Sequence, residues 1–333
     1  MEKGTLRWLW LVLALALLFL LRLALGSVPI PFSDILDALI GNENPASDLI
    51  YKFRLPVAAT CVLAGSSLAV GGLLMQTLFR NALAGPDVLG LTSGSSLMVA
   101  IVILAGNSIS LAFASPWTIA VAASVGAAGV FLLILLISQY VSDNTSLLII
   151  GLMLGATTAS VVGVLQYVSR AEDLQAFTIW GLGSVGTTSW DEIGVLAIIT
   201  VIGSGISVMM MKPLNALLLG ENYANALGTN VRRSRLLILT ATSIMIGGVT
   251  AFCGPVAFVG LAVPHLVRLV VPTTNHKTLL PAVFLGGAVL LLLCDIIAQL
   301  PGSTQVLPLN AVTSMIGAPV VIWLVIKNRK VNI

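Results

Sequence analysis

Residues 279–300 read LLPAVFLGGAVLLLLCDIIAQL. A helix needs roughly 20 apolar residues to cross the hydrocarbon of a bilayer. This stretch supplies them with a single charge, Asp295. A barrel strand would alternate apolar and polar residues with a period of two, but this run is continuous, so it reads as a spanning helix. Nine further stretches read the same way: 6–26, 55–79, 88–105, 116–138, 146–168, 192–211, 236–252, 255–271 and 306–326. Pro, Gly or charge separates each from the next. The weakest are 88–105 and 255–271, which are short enough to be broken or re-entrant.

Bulk composition agrees. Of 333 residues, 58% are apolar and only 9% charged, where a soluble domain carries about 25% charged residues. That deficit excludes an ordinary water-soluble enzyme, a disordered chain and a nucleic-acid binder. Ten spans of about 22 residues use about 220 and leave about 110 for loops. The expected fold is therefore an all-α polytopic membrane protein of about ten transmembrane helices, with the whole chain, 1–333, as one transmembrane domain.

Charge sets the orientation. With the N-terminus inside, Lys3, Arg7, Arg80, Lys212, Arg232, Arg233, Arg235, Arg268, Lys277, Lys327, Arg329 and Lys330 fall on the cytoplasmic side, twelve of the 16 basic residues. Arg22, Lys52, Arg54 and Arg170 fall outside, beside acidic residues such as Asp34, Asp48, Glu172 and Glu192. Cytoplasmic loops carry the excess of Lys and Arg, so both termini are expected in the cytoplasm. An uncleaved first span fits this balance better than a cleaved signal ending near Gly26.

The spans are poor in chemistry. Asp295 is their clearest ionisable residue. A carboxylate there marks either ion coupling, as in a secondary transporter, or an interhelix partner, and the scarcity of others favours the second. Gly90-x-x-x-Gly94 and Gly151-x-x-x-Gly155 are small-residue faces that let helices approach closely, within one subunit or at an interface or pore wall. Gly181-Leu-Gly-Ser-Val-Gly186 matches GxGxxG without the strand–helix setting that gives that motif its meaning. Cys61, Cys253 and Cys294 are isolated, and with two histidines no catalytic set and no metal centre is expected.

The longest polar cytoplasmic segment, residues 212–235, reads KPLNALLLGENYANALGTNVRRSR. Leu214, Leu217 and Leu218 recur at helical spacing, and Gly228 ends a second short face containing Ala224 and Leu227. The spacing predicts a short helix, a Gly turn and a second short helix lying along the membrane, closed by Arg232, Arg233 and Arg235.

LGENYANALGTNVRRSR, residues 219–235, resembles the coupling-helix region of the FecCD/BtuC-like permeases, the membrane subunits of type II ABC importers. Residues 54–94, RLPVAATCVLAGSSLAVGGLLMQTLFRNALAGPDVLGLTSG, resemble the same family, as do GPVAFVGLAVPHLVR (254–268) and IGAPVVIWLV (316–325). The four segments occur in order along the chain.

The resemblance implies ten spans in inverted halves, in a bacterial or archaeal cytoplasmic membrane. It implies a second permease subunit, identical or paralogous, two cytoplasmic ATPases that bind ATP and Mg, and a substrate-binding protein outside. The cargo would be a ferric siderophore, haem or vitamin B12, and no cofactor would sit on this chain. Leu219, Gly220, Glu221, Ala224, Leu227 and Gly228 would couple to the ATPase, with Glu221 pairing to Arg232. Arg54 matches the first arginine of the family's outer docking motif. Val57 replaces the second, and Lys52 is the expected substitute. Met153, Thr157 and Ser160 would line the pathway, and Ser142–Ser146, including Asn144 and Thr145, would form its inner gate. Arg80, Asn81 and Asp87, and likewise His265 and Arg268, read as ties at helix ends. The competing class is a secondary transporter coupled through Asp295.

Overall fold

The computed structural model describes residues 3–26, 28–42, 45–105, 115–141, 144–299 and 305–329. In order, these form α1 Lys3–Ala24, α2 Phe32–Ile40, and α3 Ser47–Leu49, which runs through a π-helical segment Ile50–Arg54 into α4 Leu55–Leu78. A 3₁₀ turn Pro86–Leu89 leads to α5 Leu91–Leu104. Then follow α6 Pro116–Ser138, α7 Asn144–Val168, α8 Ala171–Gly181, α9 Trp190–Met209, α10 Met211–Leu218 and α11 Glu221–Ala226. The last are α12 Val231–Cys253, α13 Val259–Val270, α14 His276–Ala298 and α15 Leu309–Arg329.

Each expected apolar stretch lies on one helix. Among the described residues six helical runs, including Ser47–Leu78 and His276–Ala298, are long and apolar enough to cross a membrane, while the apolar helical stretches Trp8–Ala24 in α1, Leu91–Leu104, Val259–Val270 and Leu309–Trp323 in α15 are shorter. Local backbone explains α13. Gly254 and Phe258 take positive φ of 69° and 66° just before it, which breaks the helical path, and Pro264 lies within it.

Helix α4 is the hub. In its span Ser47–Leu78, 83% of the most apolar stretch is buried, against 17% for Thr145–Val168 on α7. The reason is residue size. Gly65 of α4 and Gly287 of α14 abut so closely that a Cβ on either would strike the other's carbonyl oxygen. Gly72 meets the carbonyl of Gly260 on α13 in the same way. Between apolar tails and apolar helices little hydrophobic force remains, so close backbone packing carries helix association. Hydroxyls add to it: Ser67 and Thr200 bond at 2.9 Å, and Thr60 and Thr188 at 2.8 Å. The two small-residue faces meet within the chain. A Cβ on Gly90 would lie 3.2 Å from the Gly151 oxygen and 3.3 Å from the Gly155 nitrogen.

Asp295 is an interhelix partner. Its carboxylate accepts from Arg22 Nε, with the two residues 4% and 1% exposed, and so fastens α14 to α1. Arg54 joins this corner. Its Nη2 donates to the Val28 carbonyl at 2.8 Å, its Nη1 is buried without a partner, and Gly26 leaves the room that the guanidinium fills.

Packing separates the two groups of residues that charge places on opposite sides. Residues expected outside gather at one end: Arg22 with Asp295, Arg54 with Val28, and Trp190 Nε1 on the Tyr51 carbonyl. Residues expected inside gather at the other: Arg80 over Gly220, Glu221 with Arg235, and His265 on Ala82.

Candidate coupling surface

The polar segment folds as its spacing indicates. Helix α10 buries Leu214 and Leu217, leaves Leu218 half-buried, and presents Leu219 at 60% exposure. Gly220 turns the chain at φ 106°, ψ 156°, a backbone region essentially restricted to glycine, while the Arg80 guanidinium lies over it. Helix α11 follows. Gly228 then leaves with φ +79° and open space around its Cα, so conformation alone demands glycine there. Asn230 caps α12 by accepting from the Arg233 amide at 2.9 Å. That cap starts α12 five residues before the expected apolar stretch, so Arg232, Arg233 and Arg235 ride on its first turns.

The surface so built is apolar at its crests. Leu219, Tyr223 and Leu227 are 60%, 68% and 66% exposed. Leu219 and Leu227 line an open groove of about 730 Å³ whose walls also include Met209, Pro213, Asn230 and Arg233. Ala224 departs from the expectation: it is fully buried and holds α11 down instead of entering a partner. Glu221 pairs with Arg235, at 2.9 Å, and not with Arg232 as expected. Arg232 points into solvent from the first turn of α12, whereas Arg235, three residues on, faces α11 and also reaches the Val141 carbonyl.

His265 Nε2 donates to the Ala82 carbonyl at 2.8 Å, and Arg268 donates to Gln76 Oε1 at 3.3 Å. These tie α13 to the end of α4. Asp87 accepts from Thr92 at 2.6 Å. Asn215 and His276 carry no sequence signal, since their partners are distant in the chain. The His276 ring, fully buried, contacts Asn215 Oδ1 through Nδ1 at 2.8 Å and Thr77 Oγ1 through Nε2 at 3.0 Å.

At the outer end, Lys52 is exposed and pairs with Asp48 at 3.1 Å. Arg54, expected at the docking surface, is 5% exposed and turned inward, and Val57 is 6% exposed. Along α7, Met153, Thr157 and Ser160 lie exposed at helical spacing, the two hydroxyls donating to carbonyls one turn back. Asn144 and Thr145 open α7 as helix instead of loop. Ser142 and residue 143 lie outside the described residues.

The FecCD transport family model matches residues 14–327. The hemin transport system permease protein HmuU of Yersinia pestis is 35% identical over 280 residues, covering 84% of this chain and 83% of that protein. The vitamin B12 import system permease protein BtuC of Salmonella arizonae is 33% identical over 282 residues, covering 84% of each. A solved structure, an inward-facing conformation of a metal-chelate type ABC transporter, superposes with a TM-score of 0.85 at 28% identity, covering 98% of this chain and all of that one. Fold, segment order and near full-length similarity agree, and the chain belongs to the FecCD transport family.

Proposed function

We propose that this permease carries a metal chelate of the haem or cobalamin type, or a ferric siderophore, across a bacterial cytoplasmic membrane. Two such subunits would enclose the pathway, and a binding protein would deliver the cargo from outside. ATP and Mg would be bound by two cytoplasmic ATPase subunits, which would seat on α10 and α11. One observation carries this reading: three large apolar side chains, Leu219, Tyr223 and Leu227, are held exposed by two glycine-dependent turns. Such residues at an aqueous surface mark a protein contact. The exposed hydroxyl-bearing face of α7 suits a second subunit or a bland conduit, in which selectivity is left to the binding protein. On the outer side Lys52, with its exposed ammonium, is the docking contact.

The buried Arg22–Asp295 pair weighs against ion coupling, because that carboxylate is already committed to a guanidinium. The test is co-purification of the chain with a candidate ATPase subunit from the same organism, followed by uptake of iron-labelled haem and cobalt-labelled cobalamin into vesicles. ATP-dependent uptake of either supports the reading. Uptake driven by a proton or sodium gradient without ATP refutes it.

A further inference from the structure

Coupling requires that movement of α10 and α11 reach the spans. Leu214 and Leu217 pack α10 down, but apolar contacts slide easily. One polar linkage does not. Asn215, in the middle of α10, donates through Nδ2 to Asn275 Oδ1 at 3.0 Å. That bond fixes its amide orientation and turns Oδ1 toward His276. Oδ1 then accepts from the His276 backbone amide at 2.9 Å and from Nδ1 at 2.8 Å. The network thereby assigns the ring proton to Nδ1. Nε2 is left to accept from the Thr77 hydroxyl, 3.0 Å away, in the last turn of α4. Thr77 Oγ1 also lies 2.9 Å from the Leu73 carbonyl. The Thr77 hydroxyl is the donor to Nε2, so the buried ring is held to the end of α4 as well as to α10.

We infer that Asn215, His276 and Thr77 form a relay that passes the displacement of the coupling helix to α14 and α4 together. Its position supports this. His276 is the first residue of α14, whose far end carries Asp295, and α14 and α4 are locked by Gly65 and Gly287. A pull on Asn215 therefore acts at the inner ends of the two most closely joined spans. Burial makes the link directional: an imidazole nitrogen without a partner in a dry site is costly, so the ring follows its partners. These are positioning residues, and the inference rests on the reading that an ATPase drives α10.

The test uses the assembled permease–ATPase complex in vesicles, with Ile297→Cys at the exposed outer end of α14. The native cysteines are buried and stay silent. The labelling rate with a membrane-impermeant maleimide is compared between nucleotide-free and ATP–vanadate states, with ATP hydrolysis measured on the same sample. Thr77→Val, which removes one hydrogen bond to the ring, should shrink the nucleotide effect by roughly fivefold, and Asn215→Ala, which removes all three bonds of the Asn215 amide, by at least as much, while hydrolysis continues. Thr77→Ser should preserve it. Asn215 is half-buried, so its variant decides alone if Thr77→Val fails to assemble. A full nucleotide effect in Asn215→Ala overturns the relay, as does a wild-type rate indifferent to nucleotide in a complex that hydrolyses ATP. A wild-type complex that hydrolyses no ATP overturns the ATPase reading instead.

Discussion

Asp295→Asn is the most informative single change. Two guanidiniums, Arg22 and Arg54, lie 1% and 5% exposed near this one carboxylate. Neutralising it leaves the Arg22 charge buried and unpaired. Breaking a buried pair by removing one partner costs about 3–5 kcal/mol. Unfolding entropy of about 2.1 cal/mol/K per residue means that each kcal/mol moves the melting point of a 333-residue chain by roughly 1–2 °C, so a fall of about 5 °C is expected. Replacing the pair together, as Arg22→Met with Asp295→Leu, should recover much of that loss, because a well-packed apolar pair is often as stable as an ionic one. Arg54 keeps its bond to Val28 and limits the recovery. The assay is thermal unfolding of the purified protein in detergent, with uptake measured in parallel. If Asp295→Asn melts like the wild type yet loses uptake, and the double variant stays inactive, the carboxylate is a coupling group and the argument fails.

Other expectations concern the two faces and the hub. Gly228→Pro forces φ near −65° where the chain needs +79°; transport should vanish while membrane insertion, checked by protease protection, persists. Gly72→Ala drives a methyl into the Gly260 backbone. It should destabilise by at least the ~1–3 kcal/mol usual for overpacking, seen as lost melting temperature. Lys52→Glu should weaken binding-protein association in a salt-dependent way, through its on-rate. Arg54→Ala should instead lower stability, with no comparable salt dependence in a binding titration.

The spans were legible because each is a continuous apolar run that water would not tolerate, and the charge-free interior told against ion coupling. The coupling segment was legible because Leu spacing and two glycines are local signals. Illegible features depended on distant partners. Arg54 looked like a docking residue, and only the fold shows Gly26 opening a seat for its guanidinium. Arg232 and Arg235 lie on neighbouring faces of α12 nearly one turn apart along its axis, and sequence cannot say which of the two is level with Glu221 without the position of α11. The ring of His276 meets a residue 199 positions away, and no periodicity reports that.

The Arg22–Asp295 pair spans 273 residues, so Arg22 is made long before its counter-charge. Through most of translation Arg22 has a place in the membrane but no counter-charge. Near the end of its helix that arginine can snorkel to the headgroups until Asp295 on α14 supplies a buried partner. The seating of α1 is thereby tied to the synthesis of α14, 273 residues on.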